Sequence, residues 1–328
     1  MYSLMKKLFV IPVLILMMFS MFHLGEAQAK SEMIRLASAS IGGLWYVYAA
    51  NFAEMVKKYN PEFQIQVEAT GGPAPNIRLI EAGNTEIAFT TNSHAFLAMN
   101  GMGWAKGKKY KNMRSMFLLY PSKTSIVVLE KSDVKKFSDI EGKVVSPGPA
   151  GSGADGLTRD ALKILNIKPS KIVNVSQADL AQGLRDGLIK VGIFNGGQPF
   201  PAIVELEKTH RIRHIEMSTE ERRKISSQFP FYMEIDLSNK GYKYMPKDFK
   251  TLAIYSFVIA RKEVSEDLVY KLMKTMFEHI DEFRKIIKAA SDTTLEGIKY
   301  INVPLHPGAL KFYKEKGIPI PQNLIPHE

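Results

Sequence analysis

Apolar and polar positions alternate in a way that divides residues 33–100 into strand and helix pairs. Met33, Ile34 and Leu36 open a strand over 33–37. Leu44, Val47, Tyr48, Phe52, Met55 and Val56 then recur at helical spacing, which predicts a helix over 44–58. Residues 63–69 alternate as a second strand, 75–82 read as a helix and 87–90 as a third strand. Ser93 has the residue type of a cap for a helix running to 100. This order predicts a parallel sheet with helices on its faces.

From residue 113 the rhythm changes. Strands are expected over 113–120 and 125–129, parted by Pro121-Ser122-Lys123. A helical turn over 137–142, a strand over 143–146, a glycine-rich loop over 147–156 and a helix over 157–165 follow. A strand over 171–175, a helix over 177–188, a strand over 191–194 and a helix over 200–208 complete a second parallel series. Beyond 212 the pattern is mixed. It holds a charged helix over 219–228, a long strand over 250–260, a helical stretch over 267–288 and a short helix from His306 to Gly317. The whole reads as α/β with two lobes. Residues 30–120 plus 251–328 form lobe I, and residues 121–250 are inserted as lobe II.

The N-terminus stands apart. Lys6 and Lys7 precede an uncharged run over 8–24, and Ala27-Gln28-Ala29 is a small-x-small pattern before Lys30. That is the form of a secretory signal peptide over 1–29 cleaved after Ala29, with an uncleaved anchor as the rival. The chain has no cysteine, so an exported form relies on its core rather than on disulfides. The expected location is the periplasm. Net charge is +11, but the basic residues are dispersed, apart from a cluster over 106–114. A nucleic-acid partner is not expected.

Catalytic patterns are sparse. Gly151-Ser152-Gly153-Ala154-Asp155-Gly156 matches a dinucleotide fingerprint, yet no acidic residue follows the next strand to hold a ribose. There is no G-x-S-x-G elbow and no close metal spacing among the seven histidines. His210 and His214 read as a solvated edge, His306 as a helix-start residue, and Glu220 and Glu221 as solvated. No enzyme activity, cofactor or metal is expected. Small polar loops stand instead at strand ends: 38–46, 70–72, 91–93, 151–156 and 195–198. In open α/β sheets ligands bind at that edge. The loop over 38–46 fits an anion site at a helix start, or an ordinary tight turn followed by core aromatics.

Several stretches, in order, carry a family resemblance: Ile41-Gly42-Gly43-Leu44-Trp45-Tyr46; Thr70-Gly71-Gly72 with Asn76-Ile77-Arg78-Leu79; Glu86-Ile87-Ala88-Phe89 with Asn92-Ser93; Gly151-Ser152-Gly153; and Pro304-Leu305-His306-Pro307-Gly308-Ala309. The chain resembles the TAXI-type solute receptors of TRAP (tripartite ATP-independent periplasmic) transporters over essentially its whole mature length. The resemblance implies a type II periplasmic binding protein, each lobe a mainly parallel sheet flanked by helices, with the ligand cleft between the lobes. It implies a monomer that delivers a small carboxylate, such as glutamate, glutamine or a dicarboxylate, to a TRAP-type permease. Two departures stand out: Ala154 where a threonine is frequent, and Trp45-Tyr46 where two tyrosines are common.

The ligand residues expected from loops and resemblance together are Gly43, Leu44, Trp45, Tyr46, Thr70, Gly71, Gly72, Asn92, Ser93, Ser152, Gly153, Asp155 and Asn195. Asp155 and Asn195 are the expected acceptors should the ligand carry an amino group. An exported enzyme using the same cleft, and a surface immunogenic protein with a vestigial cleft, are the other readings.

Overall fold

A computed structural model describes residues 31–41, 43–229 and 231–326. The expected signal segment lies outside the described residues, as does Gly42.

The N-terminal series forms as expected. Strand β1 (Glu32–Ala37) leads into helix α1 (Leu44–Tyr59), β2 (Phe63–Glu68) into α2 (Pro73–Ala82), and β3 (Ile87–Thr91) into α3 (Asn92–Asn100). β1 and β3 are parallel, with Leu36 opposite Ile87. The buried face of α1 differs by one position from the sequence expectation. Trp45 is buried and Val47 is exposed, because Trp45 packs edge-on against Phe89 at 5.8 Å.

The second series is also parallel at its centre. It comprises β5 (Val144–Ser146), α4 (Gly153–Leu165), β6 (Lys171–Ile172), α5 (Gln177–Arg185), β7 (Val191–Gly196) and α6 (Pro201–Thr209). β5 pairs in parallel with both β6 and β7. Helix α4 begins at Gly153, four residues before the expected start. Ser152 accepts a hydrogen bond from the Asp155 N–H and so caps the extra turn.

Two long antiparallel strands, β4 (Met113–Leu129) and β10 (Phe249–Arg261), join both series into one ten-stranded sheet among the described residues. Its path is β2-β1-β3-β10-β4-β7-β5-β6. β4 is therefore continuous where a break at Pro121 was expected. Pro121 sits opposite Tyr255, beside register shifts that bend the β4–β10 ladder. Two further strands lie in the mixed C-terminal stretch. β8 (Ile212–Ile215) pairs with β4, and β9 (Met233–Leu237) pairs with β10; the charged helix α7 (Thr219–Gln228) lies between them. The expected long C-terminal helix breaks at His279 into α8 (Glu266–Glu278) and α9 (Ile280–Ile286). The last helix is α10 (Pro307–Glu315), capped by His306.

The apolar core is split along these two strands. Residues of β4 up to Tyr120 and of β10 from Tyr255 belong to one cluster with α1, α8 and α10. Ile126, Val128, Leu252 and Ile254 belong to a second cluster with α4, and Val127 to a third with α5 and α6. Between them lie the buried polar residues Ser122, Thr124 and Ser125. Ser122 meets Ser256 hydroxyl to hydroxyl at 2.6 Å. His214 is not on a solvated edge. It is buried, 3.5 Å from Glu207 and edge-on to Tyr242.

Candidate functional site

The strand ends expected to gather a ligand do converge on one cavity, with about 560 Å³ of atom-free space, part of it open to solvent. Its walls come from both series and from the crossing strand β4. Six helices present their N-terminal ends to it. Gly43, Leu44 and Trp45 belong to α1, Gly72 and Pro73 to α2, and Thr91 to α3. Ser152 and Gly153 belong to α4, Gln177 to α5 and Phe200 to α6. The starts of α1, α2 and α6 have neither a side-chain cap nor an acidic residue in the first turn. Aligned peptide dipoles make such ends partially positive, although α2 offers no free N–H there, since Pro73 and Pro75 have none and the Ala74 N–H meets Gly151 O. Among the described residues, no charged side chain lines the cavity.

Two glycines have a steric role here. Gly72 holds φ 109°, a conformation that L side chains rarely adopt. At Gly153 an added Cβ would stand 2.7 Å from Asn195 Oδ1 and 3.0 Å from Ile254 Cδ1.

Of the residues expected from sequence, Gly43, Leu44, Trp45, Gly71, Gly72, Ser152, Gly153 and Asn195 line the cavity. Tyr46, Thr70, Asn92, Ser93 and Asp155 do not. Tyr46 is half-buried, one helical step round from Trp45. Thr70 donates to Asn76 Oδ1 at 2.6 Å. Asn92 accepts from the Tyr255 N–H at 3.1 Å, completing the β10 edge where β3 has already turned into α3. Ser93 lies within the cap of α3, near Thr91 and His94, and the cap itself is Thr91 rather than Ser93. Asp155 is buried and turned back over its own loop. It accepts from the Gly151 N–H at 2.9 Å, Arg159 Nε at 2.9 Å and Asn174 Nδ2 at 3.1 Å. Ser152 Oγ, besides its capping role, donates to the Pro147 carbonyl at 3.3 Å.

Tyr120, Ser122, Gln177 and Phe200 line the cavity but lay outside the expected loops, and Thr91 lay within the expected loop 91–93 without being named as a ligand residue. Thr91, Gln177 and Phe200 carry a usable signal, since each stands at a helix start after a strand. Tyr120 and Ser122 carry none, because only the path of β4 brings them there.

Asn76 positions the site without touching it. It is fully buried in α2, and its Nδ2 donates to Ala37 O at 3.1 Å, Ser38 O at 2.7 Å and Phe89 O at 2.8 Å. One side chain thereby ties the end of β1 to β3 and holds two of the lining loops in place.

Behind Thr91, the buried His94 has its pKa lowered to about 4. Burial is the main cause. Asp155 opposes it in part, and Arg78 adds to it. The ring is therefore neutral near pH 7.

Sheet order, split core and a cavity at the strand ends define a type II periplasmic binding protein fold. The chain belongs to the NMT1-like family, whose model matches residues 36–317. Solved structures share the fold at low identity. One described as a periplasmic transporter is 17% identical with a TM-score of 0.54, covering 86% of this chain and 92% of that one. A putative L-cystine ABC transporter from Listeria monocytogenes is 11% identical with a TM-score of 0.50, covering 80% and 98%. A Xanthomonas citri protein bound to ATP is 11% identical with a TM-score of 0.50, covering 87% and 95%. The likeness to these structures is one of fold.

Proposed function

We propose that this protein is an extracytoplasmic receptor that captures a small organic anion in the cavity and hands it to a membrane transporter. The observation that carries the reading is the convergence of three helix starts without side-chain caps on a cavity that, among the described residues, has no charged side chain in its lining. Such ends are ready-made sites for a carboxylate. The signal-like residues 1–29 support export to the periplasm, and a monomer suffices for the task. Among the described residues no helix is long and apolar enough to cross a membrane.

The split of the apolar core supports two lobes, with the crossing near Ser122 in β4 and near Ile254–Tyr255 in β10. The order of the sequence motifs supports a TRAP-type permease as the partner, and the amino acids and dicarboxylates of that resemblance as first ligands to try. Mass spectrometry of natively purified protein is expected to find a retained small acid. Transport in vesicles carrying the cognate permease is expected to follow an ion gradient. Dependence on ATP hydrolysis would assign an ABC partner, and a bare protein that binds no small acid would end the receptor reading.

A further inference from the structure

The polar groups of the cavity have a definite hydrogen-bonding sense. Tyr120 is 1% exposed and lines the cavity, and its hydroxyl has no partner among the described residues. Burial raises its pKa well above 10, and the nearby Tyr48 adds to the rise, so the hydroxyl keeps its proton. Asn195 is oriented by its amide nitrogen, which donates to Ser122 O at 2.8 Å and to Thr124 Oγ1 at 3.0 Å. Its Oδ1 is thereby turned toward Gly153 as an acceptor. Gln177 Oε1 is a second acceptor, without a partner among the described residues. These are neutral groups. Asp155, the carboxylate expected to meet an amino group, is held by Gly151, Arg159 and Asn174 and does not line the cavity.

Resting on the receptor reading above, we propose that the ligand is a small carboxylate whose second polar group is an uncharged hydroxyl or carboxamide, not an ammonium. Tyr120 donates to the ligand and Asn195 accepts from it. The helix ends hold the carboxylate. An ammonium in the same place would be buried without an anionic partner and would face the same partially positive helix ends. A hydroxyl in that place donates to Asn195 and loses little on leaving water. Tyr120 also fills an otherwise costly gap, since a buried hydroxyl without a partner is unfavourable until a ligand pairs with it.

The test is calorimetric titration with matched probes: 2-hydroxyglutarate against L-glutamate, and L-lactate against L-alanine. The hydroxy acid of at least one pair is expected to bind about tenfold or more tightly than its amino counterpart. Tyr120→Phe is expected to weaken that hydroxy acid about tenfold while leaving the melting temperature of the ligand-free protein unchanged. Asn195→Asp is expected to shift preference toward the amino acid, and Tyr120→Phe keeps the proposal open to refutation should that variant fold poorly. Amino acids binding as tightly as their hydroxy partners, or Tyr120→Phe binding like wild type, would overturn the inference and leave the receptor reading standing. If no probe of either series binds, this inference falls, and the receptor reading falls with it only if native mass spectrometry also finds no retained small acid.

Discussion

At the residue scale, the site depends on side chains that never meet the ligand. Asn76 supplies donors to three carbonyls and accepts from Thr70. Asn76→Asp keeps the shape but puts a carboxylate against those carbonyls. It is expected to destabilise the protein by about 3 kcal/mol or more, read as a lower urea midpoint with unchanged slope. An unaltered midpoint would remove Asn76 from this role.

Buried neutral histidines set the response to acid. Burial lowers both His94 and His306 to about 4. Between that value and the ordinary histidine value near 6.5, the unfolded chain binds more protons than the folded one. Stability is therefore fully present above about pH 6.5 and is lost as pH falls toward 4, on the order of 2–3 kcal/mol for each ring. Glu86, held low by Arg35 against the opposing effect of its own burial, adds a further loss only below the ordinary carboxylate range. Denaturant titrations from pH 7.5 to 4 are expected to show the decline. His94→Gln should make it shallower, and an equally steep decline in that variant would show that His94 does not titrate on unfolding.

At the element scale, α10 rests on α8 through Gly308. An added Cβ there would stand 2.3 Å from Glu266 O and 2.8 Å from Tyr270 N, both backbone atoms that have little freedom to yield. Intrinsic propensity says that alanine is better than glycine in a helix by about 1 kcal/mol. Packing says the opposite and should win. Gly308→Ala is expected to lower stability by about 2 kcal/mol or more, through displacement of α10. A stabilised Gly308→Ala protein would mean that the two helices slide apart freely. The same contest between local preference and packing explains β4. Pro121 argues for a break, yet both flanks of the strand are pinned by β10, β7 and β8.

At the scale of the whole molecule, the two series touch around the cavity, and Phe96 of α3 packs against Phe231 with ring centroids 5.6 Å apart. The Ala74 N–H meets Gly151 O at 3.4 Å, and Gly72 lies against Ser152. Gly197 admits Leu44, whose Cδ2 would be 2.2 Å from a Cβ at that position. On the proposed reading, the two sides separate when the cavity is empty and close on ligand, bending at the polar stretch 122–125 of β4. Small-angle scattering is expected to show a smaller radius of gyration once a binding acid is added, with a higher melting temperature. An unchanged radius with a raised melting temperature would describe a rigid cleft instead.

What the sequence determined by itself is the alternation of strands and helices, the parallel order of both series, and the loops at which a ligand could bind. These follow from periodicity and from glycines at strand ends, which are local properties. It also placed Gly43, Gly72, Ser152, Gly153 and Asn195 at the cavity, because a strand end that opens a helix is recognisable from the chain alone. Only the tertiary structure decided which neighbour in each loop turns inward. Thr91 faces the cavity while Asn92 and Ser93 do not, since Asn92 is taken by Tyr255 and Ser93 by the helix cap. Asp155 was drawn away by Arg159 and Asn174, partners four and nineteen residues distant. Tyr120 entered through the path of a strand that runs through three apolar clusters. Its hydroxyl gained meaning only when the surrounding elements buried it and left it without a partner. Hydrogen bonds and burial of that kind are set by residues far apart in the chain, which no local pattern encodes.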